Sequence, residues 1–126
     1  MKKIDLIFLT GAIWNWAVSI VFFIMSVAIP SAFTDLGFIV PNTMVYFHSF
    51  LAFVGLFGIA FFIACKDPPA RHGIALLGAF EKFLIPSILI GYFFVGGMGV
   101  IILGLTAVDI VYGVLFIWIL RQAPAA

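Results

Sequence analysis

The chain has 126 residues, of which 66% are apolar and 9% are charged, whereas roughly 25% of the residues in a typical soluble domain are charged. Six basic and five acidic residues, with a net charge of +1, leave no basic patch for nucleic acid and too little polar surface for a water-soluble enzyme or a disordered chain. The composition predicts a small integral membrane protein, and we expect one membrane domain over residues 1–126.

Four apolar stretches are long enough to cross a bilayer core, which requires about 20 helical residues. They cover residues 4–28, 43–64, 73–95 and 99–120. Because the connections are short, each helix should lie antiparallel beside the previous one. The sequence therefore predicts an all-α, up-down-up-down four-helix transmembrane bundle.

The first stretch has two interpretations. Lys2 and Lys3, an apolar run and the small residues at 26–28 are also typical of a cleaved signal peptide. The run exceeds the roughly 7–15 apolar residues of such a peptide, and Asp5 and Asn15 interrupt it. We therefore expect a retained helix, with the cleaved peptide as the alternative.

Small and polar residues follow one face of the first helix, at spacings of three or four. They are Gly11, Asn15, Ser19, Phe22 and Ser26. Such residues allow close approach and hydrogen bonding between helices in lipid. We expect this face to point inward, and Ala52, Gly55 and Gly58 of the second helix to allow close packing in the same way. Both faces should be packing surfaces rather than cofactor grooves.

The connection between the first two helices, residues 29–42, is too short to span the bilayer and too apolar for a solvated loop. We expect a short turn after Pro30 that Ser31 caps and Gly37 ends. Four apolar side chains should dip toward the acyl chains, and these are Phe33, Leu36, Phe38 and Ile39. The segment then covers the outer end of the bundle as a simple lid, with a substrate gate as the alternative.

The basic residues outside the predicted helices all lie at one end of the bundle. They are Lys2, Lys3, Lys66, Arg71 and Arg121. The connections at the opposite end contain no Lys or Arg. The positive-inside rule therefore predicts that both termini are cytoplasmic.

Three charged residues, Glu81, Lys82 and Asp109, lie inside predicted helices, where each costs several kcal/mol unless it is paired or hydrated. At about 1.5 Å per residue, Lys82 lies roughly 13 Å, Asp109 roughly 17 Å and Asn15 roughly 18 Å from the cytoplasmic side. We therefore expect a Lys82–Asp109 ion pair, with hydrogen bonds from Asn15 and Thr106.

Glu81 lies about 100° around the helix from Lys82, so we expect the two side chains not to face one partner. Pro86 should kink the same helix and free a carbonyl beside them. The intramembrane polar layer of Asn15, Glu81, Lys82 and Asp109 is either an ion pair that fixes helix register or a ligand or proton site.

His48 is a candidate ligand contact in the outer half of the second helix, to a quinone or a haem, although an ordinary hydrogen bond to another helix is favoured. Trp14 and Trp16 lie deep in the first helix, where they either line a pocket for a lipophilic molecule or, as we expect, fill space toward the lipid. No residues have the spacing of a metal site or of a nucleophile with its base. We predict no metal, no catalytic residue and no resident cofactor.

Several residues across the chain carry a resemblance to a known family. They are Pro30, Phe33, Leu36 and Gly37, the Lys66-Asp67-Pro68 turn, Gly78 and Lys82, and Asp109 and Phe116. In this pattern the chain resembles the DoxX-like small bacterial membrane proteins. The resemblance implies a four-helix bundle of the bacterial inner membrane, and some relatives are linked to quinone-dependent sulfur oxidation or to electron supply for partner enzymes.

Two functions follow. The favoured one is a non-catalytic accessory or assembly subunit of a bacterial respiratory or photosynthetic membrane complex, because the loops are very small. Its partners would be other integral membrane subunits or further copies of the chain. The alternative is a quinone-linked redox component, or a binder or transporter of a lipophilic small molecule, that uses the polar layer.

Overall fold

The computed structural model describes residues 1–122, and these form an all-α bundle. Its helices are α1 (Lys3–Ala28), α2 (Pro30–Asp35), α3 (Met44–Lys66), α4 (Arg71–Phe94) and α5 (Ile101–Leu120). Within the described residues, four helices, α1, α3, α4 and α5, are long and apolar enough to cross a membrane. The predicted four-helix bundle is confirmed, and the chain has the architecture of a multi-pass membrane protein.

The connection between α3 and α4 lies at the end of the bundle that carries the basic residues, which we call the inner end. It is more helical than the polar turn that its composition indicates. Pro68–Ala70 forms a 3₁₀ turn that leads directly into α4, because the fixed φ of proline suits the first turn of a helix. Arg71 then donates from Nε to the carbonyl of Ala64 at 2.8 Å and forms an ion pair with Asp5. This single side chain joins the inner ends of α1, α3 and α4.

The long helices pack as two hairpins. The most extensive packing joins α1 to α3 and α4 to α5, whereas contacts between the two pairs are sparse. Small residues allow the first pairing: a Cβ on Gly58 would lie 2.5 Å from Trp16 Nε1. Ser19 donates to the carbonyl of Leu51 at 2.7 Å. The inward stripe of α1 is confirmed, but Ala52 of α3 is exposed.

The hairpins meet at their inner end through an aromatic core. Phe8, Phe61 and Phe116 are fully buried. The ring centroids of Phe8 and Phe116 lie 5.5 Å apart, and those of Phe61 and Phe116 lie 4.8 Å apart. Since lipid removes the hydrophobic drive between helices, close packing of this kind is what holds them together.

The outer end is closed by α2 and the residues that follow it. Pro30 occupies the first helical position, and Gly37 ends the segment with a φ of +86°, a conformation that glycine adopts without strain. Ser31 does not cap the turn, because the N-cap residue is Ile29, one position before the proline. The predicted end is therefore confirmed, and the predicted cap is wrong.

The aromatic residues of this outer segment turn into the bundle rather than toward the acyl chains. Phe33 is 3% exposed and Phe38 is 8% exposed, and their rings stack with centroids 4.8 Å apart. Phe22 of α1 and Ile102 of α5 pack against them, so burial within the bundle outcompetes contact with lipid. The segment covers both hairpins, and a backbone bridge joins Phe38 to Met98 in the α4–α5 connection.

Candidate functional site

The polar layer is centred on the ammonium group of Lys82. This side chain is 2% exposed. Nζ donates to Asp109 Oδ1 at 2.8 Å and to Asn15 Oδ1 at 2.5 Å. The structure thus pairs Lys82 with Asp109, as their depths indicate, and links α4 to both α5 and α1. Thr106 stays apart, since its hydroxyl donates to the carbonyl of Leu103 on its own helix.

Glu81 and Lys82 do converge on one partner, contrary to the expectation from their angular separation. Asn15 Nδ2 donates to Glu81 Oε1 at 3.5 Å, while Asn15 Oδ1 accepts from Lys82. The prediction failed because both side chains are long enough to reach around the helix, and because an amide offers a donor and an acceptor together. Asn15 is fully buried between them and also donates to the carbonyl of Val54.

Trp14 belongs to the same network, although the sequence favoured a lipid-facing role for it. Its indole Nε1 donates to Asp109 Oδ1 at 2.9 Å. A buried indole N–H requires an acceptor, and Trp14 is the neighbour of Asn15 in the sequence. The position of Trp14 deep in the helix and next to a polar residue was therefore the sequence feature that could have assigned it to the network. Trp16 instead donates to the carbonyl of Gly55 at 3.2 Å and packs between α1 and α3.

Pro86 lies inside α4, which continues through it. Proline has no N–H, so the carbonyl of Lys82 loses the donor that the helix would supply. The hydroxyl of Ser87 donates to the next carbonyl, Phe83 O, at 2.6 Å and does not replace that donor. The carbonyl beside the polar layer is thus freed as expected, and the kink itself stays a prediction.

A cavity of about 230 Å³ lies between the two hairpins, above the polar layer. Its wall is apolar, with aromatic and aliphatic side chains such as Phe22, Phe47 and Leu105. Its polar floor consists of Trp14, Asn15, Glu81, Lys82 and Asp109. For comparison, an apolar cavity of about 150 Å³ holds a benzene molecule, so this one accommodates a substituted ring or a short chain.

Both ends of the cavity are defined by the packing described above. Phe33 and Phe38 of the outer segment line it on the outer side. On the inner side, the Lys82 ammonium lies 5.9 Å from the ring centroid of Phe61, which belongs to the inner aromatic core. An apolar chamber with one polar wall is the usual form of a small-molecule site.

One carboxylate oxygen on the floor has no hydrogen-bond partner. Among residues 1–122, Glu81 Oε2 is the buried side-chain atom left in this state. It lies 3.4 Å from Lys82 Nζ, within reach of ion-pair attraction but without the geometry of a hydrogen bond. Since buried polar atoms in folded proteins are nearly always satisfied, this exception marks the floor as a candidate site for a bound water, ion or ligand.

His48 lies away from this floor and is not among the residues that line the cavity. Its Nε2 is 3.1 Å from the hydroxyl of Ser26, which itself donates to Phe23 O. His48 must therefore donate to Ser26, and it joins α3 to α1 near the outer end. Its role as a ligand contact stays a prediction. In the described part of the chain, no three His, Cys, Asp or Glu side chains are grouped as metal ligands.

Comparison with known proteins adds no relative: no family model matches the chain, and neither curated proteins nor solved structures match it significantly.

Proposed function

We propose that this protein binds a lipophilic small molecule with a polar end group in the cavity between its hairpins. The observation that carries the proposal is the combination of an apolar chamber with a polar floor that contains an unsatisfied carboxylate oxygen. A molecule dissolved in the acyl chains would place its apolar body against the aromatic wall. Its polar end would then meet Glu81 and Asp109.

The size of the cavity favours a single ring or a short chain rather than a whole phospholipid. The aromatic side chains suit an aromatic ligand, because offset or edge-to-face contacts between rings add about 0.5–1.5 kcal/mol each. The DoxX resemblance suggests a quinone, whose reduced quinol form belongs to this class because its ring is aromatic and carries hydroxyl groups. The identity of the ligand and any redox role remain predictions.

The accessory-subunit function also stays a prediction. Exposed apolar side chains surround the bundle along all four long helices, for example Phe53 at 63% and Phe80 at 66% exposure. Such a surface is equally expected of helices that face lipid and of helices that face partner subunits. The cavity, in contrast, is a feature that partner binding does not require.

For the membrane context, we propose a bacterial inner membrane with both termini on the cytoplasmic side. The support is the segregation of basic residues outside the helices, because the positive-inside rule favours a cytoplasmic position for the end of the bundle that carries them. In this orientation the cavity lies between the polar layer and the outer face. A ligand would enter from the outer half of the bilayer.

The test is native mass spectrometry of the protein extracted from its membrane with minimal detergent. A Leu105→Trp variant fills the cavity, whereas Leu103→Trp adds the same ring two residues away, at a side chain that is 36% exposed and does not line the cavity. We expect a bound small molecule on the wild type and on Leu103→Trp, and its loss from Leu105→Trp.

A wild-type protein without any bound molecule, or a Leu105→Trp variant that retains it, would overturn the proposal. Circular dichroism on all three proteins establishes that the helices are intact. If Leu105→Trp does not fold, Val54→Phe fills the same chamber from α3 and replaces it in the comparison.

A further inference from the structure

The polar floor uses most of its hydrogen-bond donors on itself, and the third hydrogen of the Lys82 ammonium is the one left over. Trp14 directs its one N–H to Asp109, and Asn15 directs its amide hydrogens to Val54 O and Glu81 Oε1. Lys82 donates to both Asn15 and Asp109. A molecule in the cavity therefore meets few free donors.

The acceptors are distributed differently. Glu81 Oε2 receives no hydrogen bond. Asp109 receives both of its hydrogen bonds from the floor on Oδ1, which leaves Oδ2 as a second acceptor. A carboxylate oxygen has room for about two hydrogen bonds, so the floor has an excess of acceptors.

Exposure points the same way. The Lys82 side chain is 2% exposed, whereas Glu81 is 10% and Asp109 is 19% exposed. The cation is thus covered by the groups that surround it, whereas both acidic residues line the cavity and Asp109 is the more exposed of the two.

We infer that the cavity selects ligands whose polar end donates a hydrogen bond, a hydroxyl or an amine, over ligands whose polar end can only accept one. The inference rests on the proposed function and names the ligand chemistry of that site. The donor would meet Asp109 Oδ2 directly, and it would reach Glu81 Oε2 by a small rotation of the Glu81 side chain, since that oxygen is buried in the structure. A ketone, an ether or a carboxylate at the same place would bring a lone pair against a carboxylate oxygen.

The test compares two probes of nearly equal shape, 4-propylphenol and 4-propylanisole, which differ by replacement of the phenolic hydrogen with a methyl group. Binding is measured by equilibrium dialysis against protein in lipid nanodiscs, with empty nanodiscs to subtract partitioning into lipid. Because a hydrogen bond to a charged acceptor is stronger than a neutral one, we expect the phenol to bind about 10-fold more tightly.

Two variants assign this preference to its atom. In Glu81→Gln, the side-chain oxygen continues to accept from Asn15, so the amide nitrogen stands where Oε2 was and offers a donor. We expect the preference for the phenol to fall, and Asp109 Oδ2 to retain part of it. Asp35→Asn removes the same charge from an exposed position in α2 outside the cavity, and we expect it to keep the preference.

The outcomes separate the two proposals. Equal affinities of the wild type for the two probes would overturn the donor preference while leaving the cavity as a binding site. A preference that is unchanged in Glu81→Gln would overturn the role assigned to Oε2. The proposed function fails as well if neither probe binds above the empty-nanodisc level and Leu105→Trp carries the same bound molecules as the wild type in native mass spectrometry.

Discussion

Replacement of Lys82 by methionine tests whether the buried ammonium holds the hairpins together. Methionine is close to lysine in size but removes the one cation that lies between Glu81 and Asp109. Removal of one partner from a buried ion pair costs about 3–5 kcal/mol. Asn15 and Trp14 still donate to the two carboxyl groups, so we expect a loss at the low end, about 3 kcal/mol.

A second variant sharpens the prediction. Asp109→Asn keeps an acceptor for Lys82 and leaves Glu81 as its counter-charge, so we expect a loss of only about 1 kcal/mol. In the double variant Lys82→Met/Asp109→Asn, the asparagine removes the repulsion between Glu81 and Asp109 that the loss of the Lys82 cation creates. The double variant should therefore lose less unfolding free energy than the two single variants together, by about 1–3 kcal/mol.

The measurement is reversible unfolding in mixed micelles with increasing dodecyl sulfate, followed by far-ultraviolet circular dichroism. Lys66→Met is the matched control, because Lys66 is exposed at the end of α3 and its loss should change stability by no more than about 0.5 kcal/mol. Equal stability of Lys66→Met and Lys82→Met, or strict additivity in the double variant, would refute the argument.

Two further changes test the packing that frames the cavity. Gly78→Ala places a Cβ 2.8 Å from Phe61 and should lower the unfolding free energy by about 1–3 kcal/mol through overpacking. Gly104→Ala is the control, because its Cβ meets no atom within 4 Å. Equal unfolding curves for the two variants would contradict this prediction. Arg71→Lys should lower the unfolding midpoint nearly as far as Arg71→Met, because the single nitrogen of an ammonium cannot reach the acceptors that Nε and Nη2 of the guanidinium contact separately. Full rescue by lysine would show that charge alone suffices.

The fold could be predicted because it depends on the length and spacing of apolar stretches, which are visible in the sequence. Four apolar stretches of bilayer length separated by short connections allow essentially one antiparallel arrangement. The meeting of Lys82 with Asp109 followed for the same reason, since the helical rise alone places them at one depth. What depends on length and depth can be calculated from sequence positions.

Side-chain reach and local burial could not be calculated in that way. Angular position placed Glu81 away from the partner of Lys82, yet both long side chains reach Asn15. From their apolar character, Phe33 and Phe38 were expected to face the lipid, yet both are buried at the outer end of the bundle. In a membrane, apolar residues suit both the lipid and the protein interior, so hydropathy does not distinguish the two.

The cavity arises from the pairing of helices, and this explains how one polar layer serves both structure and binding. Because α1 packs on α3 and α4 on α5, the two hairpins meet at the inner aromatic core and under the outer segment, with a space between them. The hydrogen bond from Lys82 to Asn15 crosses that space at mid-depth, whereas the bond to Asp109 joins α4 to α5 within one hairpin. Loss of Lys82 should therefore lower stability, whereas Glu81→Gln should change ligand preference while the bridge remains. A structural ion pair and a ligand site are thus compatible in one layer, and the two substitutions separate their contributions.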